Sequence, residues 1–216
     1  IAKLINRREA NGQKTVLSLA SGRSMRDLFV ELVRLHKEEG LSFKNVVVFG
    51  SYEFYPLADS SLGSMAQIQS QLLDHIDILP ENVHTFPGDL PKETVFTFCE
   101  EYEKAIVEAG GIDIQVLGIG QCGNIAMNEP GTQPNSSTRL VIMDGNSRVD
   151  AKSLFGNVAQ VPTCAITLGV ETILQAKEVI LLAFGQHKAG IVKQAIEEVA
   201  NSACPASYLQ LHKNAS

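Results

Sequence analysis

Residues 118–131, GIGQCGNIAMNEPG, constrain this chain more than any other stretch. They follow Ile112-Asp113-Ile114-Gln115-Val116-Leu117, a run with the length and β-branched content of a strand. Gly118, Gly120 and Gly123 fall within six positions. The backbone there must adopt positive φ or pass close to something. Asn128-Glu129-Pro130-Gly131 closes the segment with turn chemistry. In an α/β sheet, a glycine-rich loop at the carboxyl end of a strand is where ligands bind. The spacing alone fits equally a tight strand-to-helix turn that holds no ligand.

The rest of the chain alternates strands with helices. Ile1–Ala10 reads as a helix closed by the Asn11-Gly12 turn, and Thr15–Ala20 as a first strand. Ser21-Gly22-Arg23-Ser24 follows, and then Met25, Leu28, Phe29, Leu32 and Val33 recur at helical spacing up to Gly40. Strand, glycine loop and helix in that order make an anion cradle from loop amides and a helix N-terminus; an ordinary N-cap by Ser21 or Ser24 is the plainer alternative. Asn45–Phe49 (NVVVF) has the unbroken apolar character of a strand buried on both faces, and Gly50–Tyr55 sits at its carboxyl end. Leu62 to Ile76 predicts a further helix, Val83–Phe86 a short strand, and Val95 to Ile106 a helix stopped by Gly110-Gly111. Cys99 on that last stripe reads as inert packing.

Beyond the central loop, Thr138–Met143, Cys164–Leu168, Val179–Phe184 and Ala206–Leu211 are strand candidates, with a turn at Asp144-Gly145-Asn146. Gly185-Gln186-His187-Lys188 opens a helix carrying Ala189, Val192, Ala195, Ile196 and Val199. This alternation predicts an α/β fold: a doubly wound, mostly parallel sheet with helices on both faces. With 216 residues, 44% of them hydrophobic, one core and one domain spanning 1–216 are expected.

A net charge of −6 without a basic cluster excludes a nucleic-acid partner. Cys99, Cys122, Cys164 and Cys204 are widely spaced, which argues against a disulfide framework or a zinc site and fits a reducing, cytoplasmic setting. No apolar run reaches membrane-spanning length. The opening IAKLINRREANGQK is amphipathic and charged rather than a signal peptide, lacks an initiator Met and begins as if mid-helix, which predicts a domain excised from a longer chain.

GIGQCGNIAMNEPG resembles the GIG-x-DGHIAFNEPG segment of the glucosamine-6-phosphate deaminases, also called isomerases. The resemblance extends from the ASGRS loop at Ala20 to YLQLH at Tyr208, through LVRLHKEEGLSFKNVVVF, VPTCAITLGVETILQAKEV and GQHKA. It implies a Rossmann-like sheet. It also implies a chemistry: opening the ring of glucosamine 6-phosphate, moving a proton from C2 to C1 and expelling ammonia. That chemistry needs a phosphate anchor, a carboxylate base and a ring-opening acid–base group, and no metal or organic cofactor.

Carried over position by position, the resemblance places phosphate binding at Ser21, Gly22, Arg23, Ser24 and Lys188, beside the glycines Gly118 and Gly120. The family's phosphate-binding arginine falls at Ser153, one residue from Lys152; Arg23 restores that charge or points to solvent. The family's proton-transfer aspartate falls at Tyr52, with Glu53 retained beside it and facing elsewhere. The ring-opening Asp and His fall at Cys122 and Asn124, and only Glu129 is kept. Cys122 as a nucleophile lacks a neighbouring histidine in sequence and reads better as a small space-filler. General acid–base groups contribute about 10²–10⁴-fold each. A member so altered is expected to bind a sugar phosphate with weak or absent deaminase activity. Two alternatives stand beside this: an active isomerase, deaminase or lactonase working through Tyr52, Cys122 and Glu129, or a sugar-sensing or structural module. A homo-oligomer or a fused domain stays open as a partner.

Overall fold

A computed structural model describes all of residues 1–216. Its centre is a five-stranded parallel sheet of order β4-β2-β1-β5-β8, made of Val83–His84 (β4), Val46–Gly50 (β2), Thr15–Leu19 (β1), Ile114–Gly118 (β5) and Glu178–Leu182 (β8). The reason lies in period-2 side-chain alternation. Leu17, Leu19, Val46, Val48, Ile114 and Val116 point to one face and pack on Ile5, Phe29, Leu32 and Ile68. Those four residues belong to helices Ala2–Ala10 (α1), Arg26–Glu39 (α2) and Ser64–Gln71 (α3). Val16, Val47, Phe49 and Leu117 point to the other face and meet Val95, Cys99, Tyr102, Ile106, Ile173 and Ala195. These come from Val95–Glu108 (α4), Val170–Leu174 (α6) and Ala189–Glu197 (α7). With both faces covered the sheet is doubly wound, as expected. No helix is long and apolar enough to cross a membrane.

A second sheet was not legible in the sequence. Tyr52–Tyr55 (β3), Cys164–Thr167 (β7) and Arg139–Ile142 (β6) form a three-stranded sheet of order β3-β7-β6, antiparallel throughout. The expected strands at 138–143 and 164–168 are therefore present but lie outside the parallel sheet. The chain changes sheets at Ser51. Its N–H donates to Leu19 of β1 and its carbonyl accepts from Leu168 N, each at 2.9 Å. Gly50–Tyr55, read as a tail to β2, is thus a strand of its own.

Three further expectations need correction. Ala206–Leu211 is not a strand: Pro205–Leu211 winds as 3-10 turns, held by Ser207, whose Oγ donates to Cys204 O at 2.6 Å and accepts from Asn201 N at 2.9 Å. Asp144-Gly145-Asn146 is not a free turn but the start of helix Gly145–Phe155 (α5), with Asp144 capping it by accepting from Asn146 N at 2.8 Å. The helix expected over 62–76 breaks at Leu72 into α3 and a 3-10 turn at Leu73–His75.

Asp113 ties the layers together beneath β5. It is buried, accepts from Val16 N at 2.8 Å, and pairs with Arg8 of α1 at 2.5 Å and with Lys177, just before β8, at 2.7 Å.

Candidate active site

A cavity of about 500 Å³ opens at the carboxyl ends of β1 and β5, beside the second sheet. The fold brings together there most of the residues singled out from the sequence: Ser21, Gly22, Arg23, Ser24, Tyr52, Gly118, Gly120, Asn124 and Lys188 all line it. They come from four separate segments that meet because β1, β5 and β8 run parallel and end on one side.

Gly22 adopts φ +113°, which L-residues avoid, and sends the chain from β1 into the 3-10 turn Arg23–Met25 and then α2. The loop amides of Ser21–Ser24 thereby border the cavity at the start of a 14-residue helix. Lys188 opens α7 and donates from Nζ to Ile119 O at 2.9 Å, which pins the ammonium between the two glycine loops. Arg23 is exposed, lines the cavity and forms no ion pair.

The glycine-rich loop resolves into a turn shaped by close approach. A Cβ on Gly120 would fall 1.8 Å from Asn124 Oδ1, and Gly120 N donates to Asn124 O at 2.9 Å. Any larger residue there would displace the Asn124 amide. Gly118 is different: a Cβ would meet Ser24 at ordinary contact distance. No helix follows, because the loop runs on to β6. Asn124 is buried and donates to Ala126 O at 3.3 Å, so its amide is spent on holding the loop.

The titratable groups that the resemblance assigns to catalysis, Tyr52, Cys122 and Glu129, are all disfavoured as charged species. Tyr52 OH lies 2.9 Å from Ser21 Oγ, and burial pushes the phenol above its ordinary range against the opposing effect of that hydrogen bond. Glu53 faces away, as the alternation along a strand requires. Both its oxygens cap α3, accepting from Ser64 N at 2.7 Å and Met65 N at 2.9 Å. Burial likewise raises Glu129, which accepts from Ser147 Oγ at 3.0 Å and Asp144 N at 3.3 Å. Cys122 is also raised, first by burial and then by the charges of Asp144, Glu129 and Asp150. Its Sγ sits 3.2 Å from Asn146 Nδ2. Neither Cys122 nor Glu129 lines the cavity; Ser147 stands between Glu129 and it. A thiol kept protonated and set behind the wall is a poor nucleophile.

The sequence reading passed over several lining residues. Gln67 of α3 reaches towards Ser21 Oγ at 3.5 Å, and Ser147 and Asp150 of α5 join Ser153, the position that the resemblance matches to the family's phosphate-binding arginine, in another wall, with Phe184 and His187 near Lys188. The signal for the α5 residues was the motif Asp-Gly-Asn-Ser, an N-cap followed by helix, which the turn-like glycine concealed.

The whole chain, residues 1–216, matches the family described as glucosamine-6-phosphate isomerases/6-phosphogluconolactonase. The protein belongs to that family. It is 48% identical over 216 residues to a glucosamine-6-phosphate deaminase-like protein of Bacteroides thetaiotaomicron, covering all of this chain and 33% of that protein. Against the glucosamine-6-phosphate deaminase of Bacillus pumilus, it is 38% identical, with 99% and 88% of the two chains covered. The solved structure of a monomeric glucosamine-6-phosphate deaminase superposes with a TM-score of 0.92 at 32% identity, over 99% of this chain and 87% of that one. The 6-phosphogluconolactonase of Trypanosoma brucei shares the fold at a TM-score of 0.74 and 22% identity, over 99% and 88%.

Proposed function

We propose that this family member binds a sugar phosphate in the cavity and turns it over slowly or not at all as a deaminase. One observation carries the reading. The Ser21–Ser24 loop, with its positive-φ Gly22, and Lys188 line one cavity, which supports an anion cradle there, while the groups in the positions that the resemblance assigns to proton transfer are a raised phenol, a raised thiol and an amide. The phosphate would sit between the start of α2 and Lys188, with Arg23 as a second cation. The sugar would extend towards Tyr52, Asn124 and α5. A C2 proton needs a base, and a tyrosine whose pKa already starts near ~10 and is raised further stays protonated at neutral pH. Glu129 is the only acid–base position that matches the family, and it faces Ser147 rather than an imidazole. The four cysteines are free, which supports a reducing cytoplasmic setting.

Calorimetry with glucosamine 6-phosphate and unphosphorylated glucosamine, beside a coupled assay for fructose 6-phosphate and ammonia, tests the reading. The phosphorylated sugar is expected to bind tighter by at least about tenfold, as a charge-assisted anchor requires. Turnover within a hundredfold of an ordinary enzyme's ~10 s⁻¹ would overturn it in favour of chemistry through altered residues.

A further inference from the structure

The basic residues of the cavity, Arg23, His187 and Lys188, all stand on the loops that open α2 and α7. The elements β3 and α5 contribute none. They and the loop after β5 line it with Phe54, Met127, Ala151 and Leu154 instead. The first three of these are buried in one hydrophobic cluster, with Leu154 packed against it, so that cluster reaches the cavity surface. The rings of Tyr52 and Phe54 meet edge to face at 5.9 Å. The apolar wall therefore begins beside the Tyr52 hydroxyl. Its polar members are turned aside: Ser147 Oγ donates to Glu129 at 3.0 Å, and the exposed Asp150 accepts from Gln121 Nε2 at 2.8 Å. Core packing accounts for the four apolar residues, but not for Phe184. It follows β8, lines the same cavity, joins none of the three hydrophobic clusters and is 55% exposed. An aromatic ring left in water on a cavity lining, facing a site that also has an apolar wall, is a contact for an apolar part of a ligand.

We infer that the cavity takes a sugar phosphate whose C2 nitrogen carries an apolar acyl chain longer than acetyl, laid against Phe54, Ala151 and Leu154 and covered by Phe184. The inference rests on the sugar-phosphate reading. It goes beyond that reading by naming the substituent and the wall that receives it. The resemblance sets Tyr52 where a base would face C2, so a substituent on C2 meets Tyr52 first and Phe54 next. A neutral hydroxyl suits a neutral amide, which can donate to it or accept from it, better than an ammonium. An acylated nitrogen does not leave as ammonia, so such a ligand has no use for the missing base. The chain removes apolar wall from water, and the gain grows with each buried methylene.

The test is calorimetry on the whole chain with glucosamine 6-phosphate and its N-acetyl, N-butanoyl and N-hexanoyl derivatives, each beside its unphosphorylated form. Wild-type affinity is expected to rise along the series, by up to about fourfold per methylene, and the free amine to bind weakest. Leu154→Ser and Phe184→Ser should each flatten the rise, whereas Leu154→Met should keep it. Phe184 is exposed, so its variant tests the wall even where Leu154→Ser fails to fold. A merely structural role would weaken every member alike and leave the rise unchanged in both serine variants, which would overturn the inference. So would a wild-type series that is flat or falls while the phosphorylated members still outbind the unphosphorylated ones; the sugar-phosphate reading would then stand alone. Phosphorylated and unphosphorylated members that bind alike would overturn that reading and the inference with it.

Discussion

The Tyr52 hydroxyl stands 2.9 Å from the hydroxyl of Ser21, so the residue that the resemblance sets in the place of the family's base is tied to the first residue of the glycine loop that follows β1. The bond couples β3 of the small sheet to the end of β1 in the large one. It also explains how a half-buried phenol is accommodated: as a neutral hydrogen-bonding partner, with burial holding it protonated.

Restoring the carboxylate alone is therefore expected to fail. Tyr52→Asp places a base in the cavity but leaves Asn124 spent on Ala126 O and Cys122 outside the lining. Ammonia release should stay at the wild-type level in a coupled assay. Near-family rates from the single variant would mean that ring opening requires none of the substituted groups.

Lys188→Ala is expected to weaken binding of any hexose 6-phosphate by about 10- to 100-fold, the range for a lost charge-assisted contact. Lys188→Arg should not rescue it fully, because Nζ also holds Ile119 O at 2.9 Å and positions the loop. Gly22→Ala should act on the same site by another route. Space is open around its Cβ, but φ +113° is strained for alanine, and the loop amides would shift. Calorimetry with phosphorylated and plain sugar reads both variants; a loss that is equal for the two ligands would place these residues outside an anion site.

Asp113 gives a stability prediction independent of function. Removing it leaves Val16 N–H unpaired and Arg8 and Lys177 without their shared partner at a buried position. The unsatisfied Val16 N–H costs about 1–3 kcal/mol, and the two cations, 24% and 53% exposed, add little because water solvates them. Asp113→Ala should lower the urea midpoint accordingly. Asp113→Asn, which can still accept from Val16 N, should lose less. Equal midpoints for Asp113→Ala and wild type would show that the two cations contribute nothing across the layers.

Much of this architecture was readable because strands in a doubly wound sheet are continuous apolar runs. Thr15–Ala20, Asn45–Phe49 and Val179–Phe184 announce themselves, and the glycines at 22, 50 and 185 mark where each run ends. What was hidden depends on long-range pairing. Nothing local tells Cys164–Thr167 to pair with Tyr52–Tyr55 instead of joining the parallel sheet; that choice is made by the bend at Ser51. The apolar run at 206–211 fits a strand by composition, and only Pro205 and the Ser207 hydroxyl turn it into 3-10 structure. At the site, glycine loops were legible and the α5 wall was not. Ser153 was reached through the resemblance alone; Ser147 and Asp150 face the cavity through a helix that carries no clear apolar stripe.

Glu129 offers the sharpest separation between a relic and a working group. Burial raises its pKa, and the hydrogen bonds from Ser147 and Asp144 only partly oppose this. The sign follows from linkage. A carboxyl whose folded pKa lies above its unfolded value, near ~4.3, favours folding in its neutral form. That contribution is fully present below the unfolded pKa and is lost as pH rises through the folded one. Once the pH exceeds the folded pKa the wild type carries a buried charge that Glu129→Gln does not. The glutamine can still accept from Asp144 N and donate to Ser147 Oγ, so the local geometry survives. Glu129→Gln should melt higher than wild type at pH 7.5, by up to about 3 °C for ~1 kcal/mol in a chain of this size, and the gap should close as pH falls to 4. A binding pocket without turnover further requires that sugar-phosphate affinity change by less than about threefold, since Glu129 does not line the cavity. A variant that loses a measurable ammonia-releasing activity, whichever way its melting temperature moves, would instead mark Glu129 as a working acid–base residue.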